Sequence, residues 1–404
     1  MAFTTTKTVG ATGDFSTLQT WEDGAPINLT TAESWNANTF TGTFTQGEIV
    51  TGTGLTEGKF IDGNGSSYVS LGIVTGTTTL VTVLTGSTSG ATCTFTTKID
   101  TGGIWQGKIK NASDAFTTAA TTLTVSGSTS STTAYKELTT AVGASFRDNA
   151  NVQTNALRYN TANGCSIATS AAYTTAINAA EANTRYSNLQ ITGNATNGSF
   201  GFSGAGTNQR MDSCIAIGAT NNINNAVFGG GSMTGTFTNL LIYSNFTSGT
   251  SSNLVQTATS TFVNCTLAVP NDKTVGTNGF FASYGTTTIK NCAVFGVTNP
   301  LRIGTGSAYS TTTSYSNNAA TGFTVVTYDT STGSGFQNIT LATLDLRIKS
   351  GSAMLDVGTT DATNAAIDIA GTARPQGSAY DVGCWELVST GVVNKYSTLL
   401  MCGV

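Results

Sequence analysis

The sequence predicts an all-β chain built mainly as a parallel β-helix, a stack of repeated β-coils. Three observations predict it: a repeat of about 25 residues, a composition of strand and turn formers, and apolar alternation inside each repeat. Five segments align, namely Tyr186–Gly193, Met211–Gly218, Phe237–Ser244, Phe262–Val269 and Ile289–Gly296. Their shared pattern is apolar, any residue, Asn or Ser, Leu or Cys, any residue, apolar. Aligned on Asn188, Ser213, Asn239, Asn264 and Asn291, the steps are 25, 26, 25 and 27 residues. A step of this length holds three short strands and three turns, one coil of a solenoid whose coils stack at roughly 4.8 Å.

Composition agrees. Of the 404 residues only 9% are Asp, Glu, Lys or Arg, and 47 are Gly. Thr, Val, Ile, Phe and Tyr favour strands, while Gly, Asn and Ser favour turns. The net charge of −4 comes without any basic run, so no nucleic-acid partner is expected. No apolar run is long enough for a membrane span, and no membrane partner is expected. The chain has no histidine, and its seven cysteines form no C-x-x-C pair. No metal site, cofactor or catalytic residue is therefore expected. The opening MAFTTTKTVGATGDF shows neither a basic nor an apolar signal region, so assembly in the cytoplasm with reduced thiols is the expectation.

Taken in order, residues 1–39 read as an N-terminal cap and first coil. Asp14 is the expected N-cap of a short helix with Phe15, Leu18 and Trp21 on one face and Gly24 at its end. Residues 40–100 differ in texture and read as a small inserted β-barrel or sandwich. Within them 71–84 suggests two strands around a polar turn. Residues 101–387 read as the β-helix. Helical turns are expected within 147–159 and in the Ala-rich stretch 171–182, another rung over 308–328, and closing coils over 336–387. The tail 388–404 is apolar enough to dock on the last coil or on a neighbouring subunit.

Within the five coils the alternation points Leu189 and Ile191, Leu240 and Ile242, Cys265 and Leu267, and Cys292 and Val294 inward. The second coil fits least well: Ala216 takes the second inward place unless a bulge brings in Ile217. Asn188, Asn239, Asn264 and Asn291 fall at one place in the coil, where a sharp left-handed turn suits Asn and stacked amides can bond along the ladder. A row of Asn side chains binding sugar is the alternative. Cys214, Cys265 and Cys292 share their column with Leu189 and Leu240, which marks a small apolar slot. A disulfide or metal site is the alternative there.

The block 336–387 resembles the end of many right-handed β-helix proteins of the pectate-lyase-like superfamily. The resemblance rests on Asp345, Arg347, Ser352, Asp356 and Gly358, followed by Asp368, Gly371, Arg374, Asp381, Gly383 and Glu386. It implies a right-handed helix whose carboxylates and Arg tie the final turns together. The stretches TGDFSTLQTWE and SFRDNANVQTNALRYN resemble β-helix proteins encoded by tailed phages. That resemblance implies a virion component, with homotrimers as the usual assembly.

Fold alone does not separate enzyme from scaffold. Glycoside hydrolysis needs paired carboxylates, and calcium-assisted elimination needs several. Between Tyr186 and Ala320 the acids are Asp212 and Asp272, on coils two steps and roughly 10 Å apart. The expectation is therefore a non-enzymatic virion structural protein that decorates or cements the capsid, with the major capsid protein, other virion proteins and copies of itself as partners. The solenoid's start close to Met1 favours docking through its own body. The alternative is a tail fibre or tailspike that binds, and as a depolymerase cleaves, host surface glycans.

Overall fold

The computed structural model describes residues 2–76, 83–149, 155–170, 174–193, 200–218, 226–230, 232–244, 250–273 and 276–388. Three long parallel sheets run along the solenoid. The first holds nine strands, from Phe3–Val9 and Gly103–Ile109 to Ser307–Thr312. The second holds seven, from Leu123–Val125 to Asn299–Ile303. The third holds nine, from Ala115–Thr118 to Phe323–Val325. Register passes unbroken between coils, as in Gln209–Asp212 on Gly235–Thr238 and Gly235–Thr238 on Ser260–Val263.

The turn from the first to the third sheet is made by Asn188, Ser213, Asn239, Asn264 and Asn291, with φ between 52° and 60°. Asn is the non-glycine residue that most readily enters this left-handed region, because its short amide bonds locally. Thr313, at φ 45°, makes the same turn in the next coil.

Leu189, Ile191, Leu240, Ile242, Cys265, Leu267, Cys292 and Val294 all lie in the interior core. Beside them Tyr186, Phe202, Phe228, Phe237, Phe262 and Phe280 form a continuous aromatic column, with successive centroids 4.9–5.1 Å apart. In the second coil Ala216 occupies the inner place without a bulge, and Ile217 faces outward.

The block 336–387 corrects an expectation. It does not stack as closing coils but runs as a strap along the flank, over the outer face of the third sheet. Phe336, Leu344, Leu346, Ile369, Val382 and Trp385 pack there against Ile215, Leu241, Tyr243, Ala268, Ala293 and Phe295. The cause is local: Leu240-Leu241-Ile242-Tyr243 is apolar on both faces, so that strand needs a second cover.

The N-terminal cap helix spans Leu18–Asp23, and its N-cap is Thr17, which forms a capping box with Thr20. Asp14 is not the cap. Its carboxylate instead accepts Thr8 N–H at 2.7 Å and holds the returning loop to the first strand. Leu18 and Trp21 enter the core. Gln19 and Glu22 reach the open edge of Leu123–Val125: Thr124 N–H donates to Gln19 and Ser126 N–H to Glu22, both at 2.9 Å. Side chains thus satisfy an edge that would otherwise pair with another strand.

Between the first two strands of the first sheet the chain makes a closed six-stranded antiparallel barrel, from Glu33–Thr41 to Thr92–Thr101. It begins at Glu33 rather than at residue 40, because Trp35 and Ala37 already alternate into its core with Phe60, Leu71 and Phe95. Tyr68–Gly76 and Leu84–Gly86 pair with other barrel strands and not with each other; residues 77–82 between them lie outside the described residues. Phe146–Asn149 forms the one helical turn seen in 147–159, of which 150–154 are not described. In the Ala-rich stretch, Thr175–Ala179 is a strand of the second sheet rather than a helix. The expected tail lies outside the described residues from 389 onward.

Candidate functional site

Most of the Asn ladder's amide groups are bonded within the fold, Asn239 Oδ1 being buried without a partner. Asn291 Nδ2 donates to Asn264 Oδ1 at 3.2 Å and to Thr359 O at 2.7 Å, while Thr359 N–H donates to Asn291 Oδ1. Asn264 Nδ2 donates to Asp381 O at 3.0 Å. Asn239 Nδ2 donates to Asp212 Oδ1 at 3.0 Å, and Arg147 donates to Asn188 Oδ1 at 3.1 Å. Asn239, Asn264 and Asn291 are buried, Asn264 and Asn291 against the strap, so the row is not an open sugar-binding face. Asn264→Gly keeps the left-handed turn and loses the strap bonds, while Asn264→Ala loses both. Denaturant melts should place Asn264→Ala about 1 kcal/mol below Asn264→Gly, the cost of the left-handed backbone for a residue with a Cβ. Equal stabilities would mean that the turn conformation carries no weight.

Inside the strap the sequence motif closes on itself. Arg374 pairs with Glu386 at 3.0 Å and donates to Asp381 O and Gly383 O. Glu386 accepts the N–H groups of Gln376 and Asp381. Asp368 accepts those of Ala370, Thr372 and Glu386. Asp381 accepts those of Asp356 and Leu387, and Asp356 accepts that of Ala379. Burial raises the pKa of Asp368 and Glu386, and burial beside Glu386 raises Asp381 to about 7. These residues shape the strap's loops, and their oxygens are occupied by its own backbone.

Asp212 and Asp272 do not meet. Asp212 binds Thr238 and Asn239. Asp272 accepts Leu341 N–H at 3.0 Å, which holds its pKa down, and lies 3.5 Å from Lys273.

Cys265 and Cys292 lie in neighbouring coils in the core, and burial drives the Cys265 thiol well above its usual range, as it drives Cys165 and Cys384 to about 12. Cys93, Cys165, Cys214, Cys265, Cys292 and Cys384 are all free and buried. A thiol reagent should therefore modify none of these six in the native chain and all of them after denaturation. Mass spectrometry without reductant that found Cys265 cross-linked to Cys292 would contradict this.

Several polar features escaped the sequence reading. Lys136, only 1% exposed, pairs with Glu22 at 2.5 Å and Glu181 at 2.9 Å, tying the cap helix to two coils. A second ladder runs Asn299 to Asn278 to Asn253, at 3.1 and 2.9 Å. Its 25- and 21-residue steps were a signal, but the neighbouring residues share no pattern. Where strap meets coils, a small pocket of about 20 Å³ is lined by Phe146, Leu157, Ile215 and Trp385 with Arg147, Arg158 and Asn163. Among the described residues no group of three His, Cys, Asp or Glu is placed to hold a metal ion.

No family model matches the chain, and no curated protein matches it in sequence. Among solved structures it is similar to pectate lyase Pel9A, with 13% identity over 71% of this chain and 88% of that one, at a TM-score of 0.32. That protein is an enzyme, so the expectation that the present chain is not one is withdrawn. The three long sheets of stacked parallel strands make this chain a parallel β-helix.

Proposed function

We propose that the chain is a surface protein of a tailed-phage particle, mounted on the capsid as a decoration or cement protein in contact with the major capsid protein and with copies of itself. The observation that carries this reading is the outer column of the first sheet. Its lower part carries Glu137, Arg185 and Arg210, and from the next coil on Thr236, Thr261, Thr288 and Ser310 occupy the matching positions as an uncharged strip of hydroxyls. Such a strip makes contacts that depend little on pH or salt, since it has no charges to screen. The strap and the Asn ladders stiffen the body behind it. A rigid body that binds only the assembled shell stabilises that shell by mass action.

Particles lacking the protein should still package DNA but release it at lower temperature or on milder osmotic shock. A virion reconstruction should place the β-helix on the capsid. Lost host adsorption with unchanged particle stability would move the protein to a tail fibre or spike that binds host glycan.

A further inference from the structure

The two ends of the solenoid are finished differently. At the start, the cap helix satisfies the edge of Leu123–Val125 through Gln19 and Glu22. At the other end, Asn299–Ile303, Ser307–Thr312 and Phe323–Val325 are the last strands of the three sheets, and none has a further neighbour among the described residues. The loop 317–322 folds partly across: Phe323 N–H donates to Ala320 O at 3.1 Å and Thr311 Oγ1 to Thr321 O at 3.2 Å. A trough of about 340 Å³ remains, lined by Leu301, Ile303, Tyr309 and Ala319 together with the polar Asn299 and Thr311. Ile303 is 60% and Val325 54% exposed. Open edges over a half-covered core recruit strands from elsewhere, and solenoids need caps at both ends.

We propose that residues 389–404 of this same chain cover that end. The segment carries Val392, Val393, Tyr396, Leu399, Leu400 and Met401, strand-forming and apolar residues suited to the apolar side of that trough and to the open edges beside it. Reach is ample. Cys384, close to the last described residue, donates its N–H to Thr266 Oγ1 at 3.0 Å. From Thr266 the third sheet steps to Ala293, Tyr315 and Thr324 at the end of the stack. Three steps are roughly 14 Å, whereas sixteen extended residues span up to roughly 50 Å. A second copy docked end to end is a poorer occupant. Two-fold symmetry would bring the exposed Arg302, stacked 4.6 Å over Phe281 at this rim, towards its own counterpart.

The test compares three proteins by hydrogen exchange and light scattering: the full chain, a chain ending at Val388, and the full chain carrying Leu399→Asp and Leu400→Asp. Amides of 299–303 and 307–312 should exchange at least about ten-fold faster in both variants. Those of 235–244 should stay unchanged, and the shortened chain should self-associate. If the shortened chain fails to fold, the double Asp variant decides alone. Equal exchange at 299–312 in full and altered chains overturns the proposal. Loss of protection at 337–356 instead would place the segment in the flank trough beside Leu355 and Leu387, and overturns it too. So does protection of 299–312 that rises with protein concentration in the full chain, which would make a second copy the cover.

Discussion

Leu240→Ala should lower the stability of the chain by about 2–5 kcal/mol in denaturant melts. Leu240→Asp should leave it insoluble or unfolded. Leu240 is 1% exposed, in a column with Cys214 below and Cys265 above, and beside the aromatic column of Phe237 and Phe262. Coils stacked in register relax poorly into a void, because backbone bonds fix their spacing. Most of the cavity therefore persists and the loss should fall in the upper part of that range. An aspartate there would meet only apolar neighbours and carry an unpaired charge into the core. A well-folded Leu240→Asp protein would mean that the column faces water.

Arg374→Met should cost about 3–5 kcal/mol, because it leaves Glu386 and the nearby Asp368 and Asp381 buried without their cation. The shape of the loss with pH is diagnostic. Asp368, Asp381 and Glu386 have folded pKa values raised above those of an unfolded chain, Asp381 to about 7. In the window from about 4 to about 7 the folded chain therefore holds protons that the unfolded chain has released. Stability is fully present below that window and falls as pH rises through it. Without Arg374 the carboxylates are pushed higher still, so the variant should approach the parent chain at pH 4 and diverge from it by pH 8. Parallel curves would show that Arg374 acts by packing alone, through the ring of Tyr380 beneath it.

The coils were legible because one geometric need recurs in each. A left-handed turn every 25 to 27 residues writes Asn or Ser into the same column at Asn188, Ser213, Asn239, Asn264 and Asn291. Alternation then located Leu240 and Leu267 inside. The same rule misled on the outside, where it assigns Leu241, Tyr243 and Phe295 to solvent, although the unbroken apolar run through Leu240–Tyr243 marks a strand covered on both faces. What covers it was not legible. The strap meets its partners across separations such as Asn264 with Asp381 and Arg147 with Asp368. No local period records such contacts. The motif around Arg374 and Glu386 was visible as a motif, yet its place on the flank depends on the surface it meets. The helix start moved from Asp14 to Thr17 because both residues can cap, and a returning strand had claimed the first.

A stack whose coils touch only their neighbours can fray from its free end one rung at a time. Here Arg147 at the Asn188 coil holds Asp368, Asn264 holds Asp381, and Asn291 holds Thr359. Rungs as far apart as those of Asn188 and Asn291 share a single tie, and opening any one of them pulls on the rest. Unfolding becomes cooperative along the length of the tie, as in a bound book whose spine keeps single pages from working loose. The tie lies near the end of the chain, so it fastens only after the rungs beneath it have been made. Stiffness thus arrives late in folding, and the long sequence separations it bridges make that closing step slow.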